Sequence, residues 1–138
     1  MNYVELKALI PKDKFDTSTL DTLMSLKESD LSILLPELIL WIADMNWPVA
    51  TEILPVLSKY PDSIVPLIKE SLVADQDDDI LKIYIISYLV PRLPKDYQLM
   101  LYDDINRIAK NPTESEAYEE TAEIALEWLD KISTLSRS

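Results

Sequence analysis

A chain of 138 residues, 48% of them apolar, is long enough for one domain with a packed core and is not a disordered tail. It contains no Cys, His or Gly, which removes disulfides, thiolate zinc sites, Ser-His-Asp and Cys-His catalysis, and every glycine-rich phosphate loop. Its 13 basic and 25 acidic residues give a net charge of −12, which repels nucleic-acid phosphates and anionic lipid and attracts a basic partner. The acidity is uneven: residues 1–69 carry six basic and ten acidic side chains (−4), residues 70–138 seven and fifteen (−8). Solubility is the plainer reason for such a surface.

The spacing of apolar residues predicts about eight helical segments joined by proline-led turns. The first covers residues 2–10 and stops before Pro11. A polar loop follows over 11–17, and Thr17 or Ser18 caps a second helix with Leu20, Leu23 and Met24 on one face. Asp30 caps a third helix to about residue 44, with Leu31, Leu34, Leu38, Trp41, Ile42 and Met45 in helical register. Ile33, Leu35, Ile39 and Leu40 fill its other side, the pattern of a helix sandwiched between neighbours, and Pro36 predicts a kink or a late start. Asn46 caps the fourth helix, with Pro48 in its first turn; it ends near Lys59.

The fifth helix covers 62–73, and the acidic run Asp75-Gln76-Asp77-Asp78-Asp79 then leads into a sixth over 80–90. Ile83-Tyr84-Ile85-Ile86 is β-branched and aromatic, but the acidic start and helical neighbours favour helix over a buried strand. The seventh helix covers 95–110, with Tyr97, Leu101, Ile105 and Ile108 on one face. Ser115 opens the last, whose stripe is Tyr118, Ala122, Ala125, Leu129 and Ile132. No run of about 20 apolar residues exists. Glu5 and Pro11 interrupt any basic start and apolar core of a signal peptide, so the expected location is cytoplasmic.

One phrase, two aliphatics, a proline, any residue and an aliphatic, recurs at Leu34-Leu35-Pro36-Glu37-Leu38, Ile53-Leu54-Pro55-Val56-Leu57, Ile64-Val65-Pro66-Leu67-Ile68 and Leu89-Val90-Pro91-Arg92-Leu93. Two units superpose at an offset of 30 to 31, each a helix, an acidic turn and a helix. This resembles HEAT-like repeats over residues 30–94 and implies an all-α fold, a short solenoid of stacked helix pairs forming one domain over 1–138. Leu9-Ile10-Pro11-Lys12-Asp13-Lys14-Phe15-Asp16 and Asp44-Met45-Asn46-Trp47-Pro48-Val49-Ala50 are similar to signatures of a small bacterial family of unknown function. Asp77-Asp78-Asp79-Ile80-Leu81-Lys82 and Asn111-Pro112-Thr113-Glu114 are similar to its later segments, with Leu81 standing where an aromatic is expected. That resemblance implies an all-helical repeat fold and no particular reaction or ligand.

The acidic run does not fit an EF-hand: counting from Asp75, the glycine and glutamate positions hold Ile80 and Ile86. Capping and solvated charge explain it better than calcium. The pairs Asp103-Asp104 and Glu119-Glu120 point about 100° apart on a helix and do not converge for acid–base chemistry. In the loop holding Lys12, Asp13, Lys14, Phe15 and Asp16, Phe15 is expected to plug the core, with a binding anchor as the alternative. Trp41 and Trp128 lie on apolar stripes; Trp47, between Asn46 and Pro48, is the one placed for partial exposure or for packing on the next repeat.

In stacked helix pairs, equivalent turns lie side by side. Asp44-Met45-Asn46 would then share one acidic edge with the turn of Asp75, Asp77, Asp78 and Asp79, and Trp47 is a separate candidate partner contact. The expected function is a non-catalytic protein-binding module, an adaptor or immunity-type protein, that takes a basic protein partner on this edge or at Lys12 and Phe15, without cofactor, metal, nucleic acid or membrane. The rivals are a small enzyme or ligand-binding protein using carboxylates and tyrosines in a concave groove, and a structural homo-oligomer.

Overall fold

The computed structural model describes residues 1–74 and 78–137. Among these residues the chain forms ten α-helices and no strand. The helical expectation for residues 80–90 is therefore met. The chain divides into two compact units, Met1–Leu67 and Ile68–Ser138.

The first unit holds α1 (Tyr3–Lys7), α2 (Leu20–Ser25), α3 (Glu28–Leu38), α4 (Pro48–Ser58) and the start of α5 (Pro61–Ser71). α1 opens on a reciprocal cap: the Asn2 side chain accepts the Glu5 N–H at 2.9 Å and the Glu5 carboxylate accepts the Asn2 N–H at 3.4 Å. α2 starts after Thr19, later than the expected cap at Thr17 or Ser18. α3 starts after Lys27, so Asp30 sits inside its first turn rather than capping it, where its charge still favours the helix dipole. Pro36 lies near the end of α3; with no N–H to give, it cannot make its bond to the preceding turn, and the chain tightens into a 3₁₀ turn at Ile39–Ile42. α4 starts after Trp47 with Pro48 at its first position, one residue beyond the expected cap at Asn46. Leu31, Leu34 and Leu38 of α3 are buried in the same unit as Ile53, Val56 and Leu57 of α4.

The second unit takes up the end of α5, then α6 (Asp79–Tyr84), which widens to a π turn at Ile85–Leu89 and closes in a 3₁₀ turn at Val90–Arg92. After it come α7 (Lys95–Leu99), α8 (Tyr102–Lys110), α9 (Glu114–Tyr118) and α10 (Thr121–Arg137). α10 packs against α6, α8 and α9. The expected count of about eight helices falls short because two predicted helices are each broken in two. One break follows α7 at Met100 and Leu101, the other separates α9 from α10.

The second break turns on Glu120, whose φ is 68°. This left-handed conformation crowds the Cβ and suits glycine, which the chain lacks. The turn also rotates the register. Tyr118 ends 85% exposed instead of continuing the stripe, while Ala125, Trp128, Leu129 and Ile132 are buried. Glu120→Gly is expected to raise unfolding free energy by about 1 kcal/mol, read by urea denaturation; a loss would show that the Glu120 side chain stabilises the turn.

No helix of the described residues is long and apolar enough to cross a membrane.

Candidate functional site

In the first unit, short side-chain bonds shape the loop after α1. The Asp16 carboxylate accepts the Ser18 hydroxyl at 2.6 Å, the Ser18 N–H at 3.1 Å and the Lys12 N–H at 2.9 Å. The Ser18 hydroxyl first, and these backbone N–H groups with it, hold the Asp16 carboxyl below its ordinary value. Asp13 accepts the Phe15 N–H at 2.9 Å, and the Lys14 carbonyl accepts the Val49 N–H at 3.0 Å. The last bond fastens the loop to the first turn of α4. The structure thus ties the Lys12–Phe15 loop to the turn that carries Trp47. Phe15 does not plug the core: it is 66% exposed, with the Lys14 ammonium 5.3 Å from its ring centre. Lys12, Asp13, Phe15 and Asp16 line an open depression of about 450 Å³.

A second depression, about 350 Å³, is lined by Ile10, Glu37, Leu40, Trp41 and Trp47. Residues three apart eclipse in a 3₁₀ turn. Ile39 and Ile42 accordingly face the core, and Leu40 between them is 55% exposed. The third predicted helix is therefore not sandwiched, since Ile33 and Leu40 both face solvent. Trp41 is half-buried rather than a core residue, and its ring meets Trp47 edge to face, 5.8 Å between centres and 69° between planes. Lys7 forms an ion pair with Oε1 of Glu37.

The second unit contains a set of charges that sequence reasoning missed. Lys82 of α6 is wholly buried, its Nζ 2.8 Å from Glu116 Oε2 and 3.2 Å from Asp79 Oδ1. Glu116 of α9 is also wholly buried. Arg107 of α8 spans both its oxygens, with Nη2 at 2.8 Å from Oε2, and also donates to the Leu72 carbonyl at 2.8 Å. The Thr113 N–H donates to Glu116 Oε1 at 2.9 Å, and the Thr113 hydroxyl accepts the Glu116 N–H at 3.2 Å. Burial pushes the Glu116 carboxyl up, but the bonds from Arg107, Lys82 and Thr113 outweigh it and bring it down to about 2. Both oxygens of this carboxylate are taken up by bonds within the protein. Two positive and two negative groups balance, which makes this set a fastening between α6, α8 and α9.

The predicted site residues divide accordingly. Asp79 belongs to this buried set and not to an exposed acidic edge; its backbone carbonyl also accepts the Thr121 hydroxyl at 3.4 Å. Asp78 is exposed and its side chain accepts the Leu81 N–H at 2.9 Å. Asp78→Ala is accordingly expected to cost about 1 kcal/mol or less in thermal or urea unfolding, the scale of one lost cap. Asp75 and Asp77 lie outside the described residues. Asp44, in the first unit, is half-buried and accepts the N–H of the exposed Asn46 at 2.9 Å. Lys82 was recoverable as a lysine three residues before Ile85 and seven before Leu89, on the buried stripe. Glu116 was recoverable as the last residue of the capping pattern Thr113-Glu114-Ser115-Glu116.

A family model described as a domain of unknown function (DUF5071) matches residues 9–129. No curated protein matches the chain.

Proposed function

As the chain belongs to the DUF5071 family, whose function is unknown, we propose from its geometry and charge that it is a non-catalytic, cytoplasmic protein-binding module for a basic protein partner. The observation that carries this reading is the apolar depression of the first unit, where the half-exposed Leu40 lies beside Trp41, Trp47 and Ile10. Exposed apolar side chains grouped around aromatic rings are the makings of an interface centre. Phe15 supplies a further exposed anchor on the loop fastened to α4. A net charge of −12, with acids at Asp44 and at the exposed Asp78, supplies the long-range attraction for a basic surface. HEAT-like helix pairs belong to the same proposal. They are supported by Pro36, Pro55 and Pro66, all inside helices α3, α4 and α5.

The test is affinity capture from extract of the encoding organism, at low and high salt, with the wild-type chain and with Leu40→Glu. Leu40 is exposed, so the substitution leaves the fold intact. The expected result is one basic protein held by the wild type, lost with Leu40→Glu and released as salt rises. Asp78→Lys should slow its association without unfolding the chain. Retention indifferent to both salt and Leu40→Glu would overturn the reading.

A further inference from the structure

We propose that the corner between Trp41 and Trp47 receives a lysine or arginine side chain of the protein partner, with the Glu37 carboxylate as its counter-ion. This deepens the protein-binding reading above and rests on it. Rings meeting at 69° with centres 5.8 Å apart form a corner with both indoles on the wall of one depression. The face of an indole is the strongest side-chain binder of a cation. Among the described residues Glu37 is the one charged residue lining that depression. Lys7 engages its Oε1, and among the described residues none pairs with Oε2, the oxygen that a second cation would take. Leu40 and Ile10 complete the wall and offer apolar surface to the methylene stem that every lysine or arginine brings with its charge. The chain's own cations sit over other rings: Lys7 over Tyr3 at 5.6 Å, Lys14 over Phe15 at 5.3 Å and Lys59 over Tyr60 at 5.2 Å. Among the described residues none lies over Trp41 or Trp47. Residues 1–69, which hold the depression, carry a net charge of −4, and this favours a cation there over a neutral side chain.

The experiment titrates four probes into the full chain and follows the indole N–H resonances of Trp41, Trp47 and Trp128 by NMR. The probes are the N-acetyl methylamides of lysine, arginine and norleucine, and tetramethylammonium chloride. The lysine and arginine amides should shift the Trp41 and Trp47 signals saturably and leave Trp128 still, while norleucine, with a similar stem and no charge, should not. Glu37, 49% exposed, is replaced without threatening the fold, and Glu37→Gln should weaken the lysine amide about fivefold. Trp41→Leu should abolish the response of Trp47. Equal shifts with norleucine would make the corner an apolar socket and overturn the proposal, as would an affinity unchanged by Glu37→Gln. Tetramethylammonium binding more tightly than the lysine amide would point to a free quaternary amine and overturn the assignment to a protein side chain. A captured partner that depends on Leu40 but ignores Glu37→Gln would overturn this inference and leave the docking reading in place.

Discussion

Glu116→Ala should remove about 3 to 5 kcal/mol of unfolding free energy, the cost of breaking a buried ion pair from one side. Lys82 is wholly buried, and without Glu116 its ammonium keeps, among the described residues, only the Asp79 carboxylate at 3.2 Å. Arg107 loses its two-oxygen partner, and Thr113 loses the acceptor for its N–H. A surface acid such as Glu127→Ala, replaced for comparison, should change stability by about 0.5 kcal/mol or less. The same carboxylate sets a pH response. It sits at about 2 in the folded chain against an ordinary 4.5, so its contribution is complete above pH 4.5 and is lost as pH falls from there toward 2. That contribution is worth about 3 kcal/mol at neutral pH. Urea unfolding followed through Trp128, at pH 7 and at pH 3, checks both statements. Glu116→Ala should lose much less on acidification than the wild type; equal losses would mean that other carboxylates govern the acid response.

Leu38→Ala and Ile85→Ala should each cost about 2 to 5 kcal/mol, one in each compact unit. Both side chains are fully buried, Leu38 at the end of α3 and Ile85 at the start of the π turn. Truncation loses the transfer free energy of the removed methyl and methylene groups and leaves a cavity that a helical core closes only in part. Leu38→Ala is followed through Trp41 and Trp47, which lie in its own unit, and Ile85→Ala through Trp128. The wide π turn has looser backbone hydrogen bonding than an α-helix, so Ile85 has more freedom to relax and should fall at the lower end of the range. A cost below about 1 kcal/mol at both positions would mean that the core lies elsewhere.

The helical class could be read from the sequence because a chain without glycine, with apolar residues at helical spacing and prolines between them, has few other ways to bury its surface. The breaks could not. Met100-Leu101 and Glu119-Glu120 carry neither proline nor glycine, and Leu101, Ile105 and Ile108 keep helical spacing straight past the first of them. The docking face was half legible. An apolar excess on the third predicted helix is real, but periodicity assigns it to burial, and only the switch to a 3₁₀ turn brings Leu40 outward. Phe15 was misplaced because the Asp13 and Asp16 side-chain bonds that orient its loop depend on geometry that composition does not carry. For the buried charges, Thr113 and Glu116 form a local pattern that a reader can find. Lys82 and Arg107 come to Glu116 from 34 and 9 residues away; the position of Lys82 on the buried stripe marks it as unusual but not which acid it meets, and nothing local distinguishes Arg107 from a solvated cation.

The ionic fastening of α6, α8 and α9 also constrains how the chain can change over generations. Replacing Glu116 by an apolar residue leaves the buried Lys82 one acid where it had two, and replacing Lys82 takes the ammonium from the buried Asp79 while Arg107 still holds Glu116, so a lineage moving to an apolar arrangement must change several of these positions together or cross a deep fitness valley. Across related sequences, the positions of Lys82, Arg107 and Glu116 should therefore be inherited as a block, whereas an exposed acid such as Glu127 should drift freely.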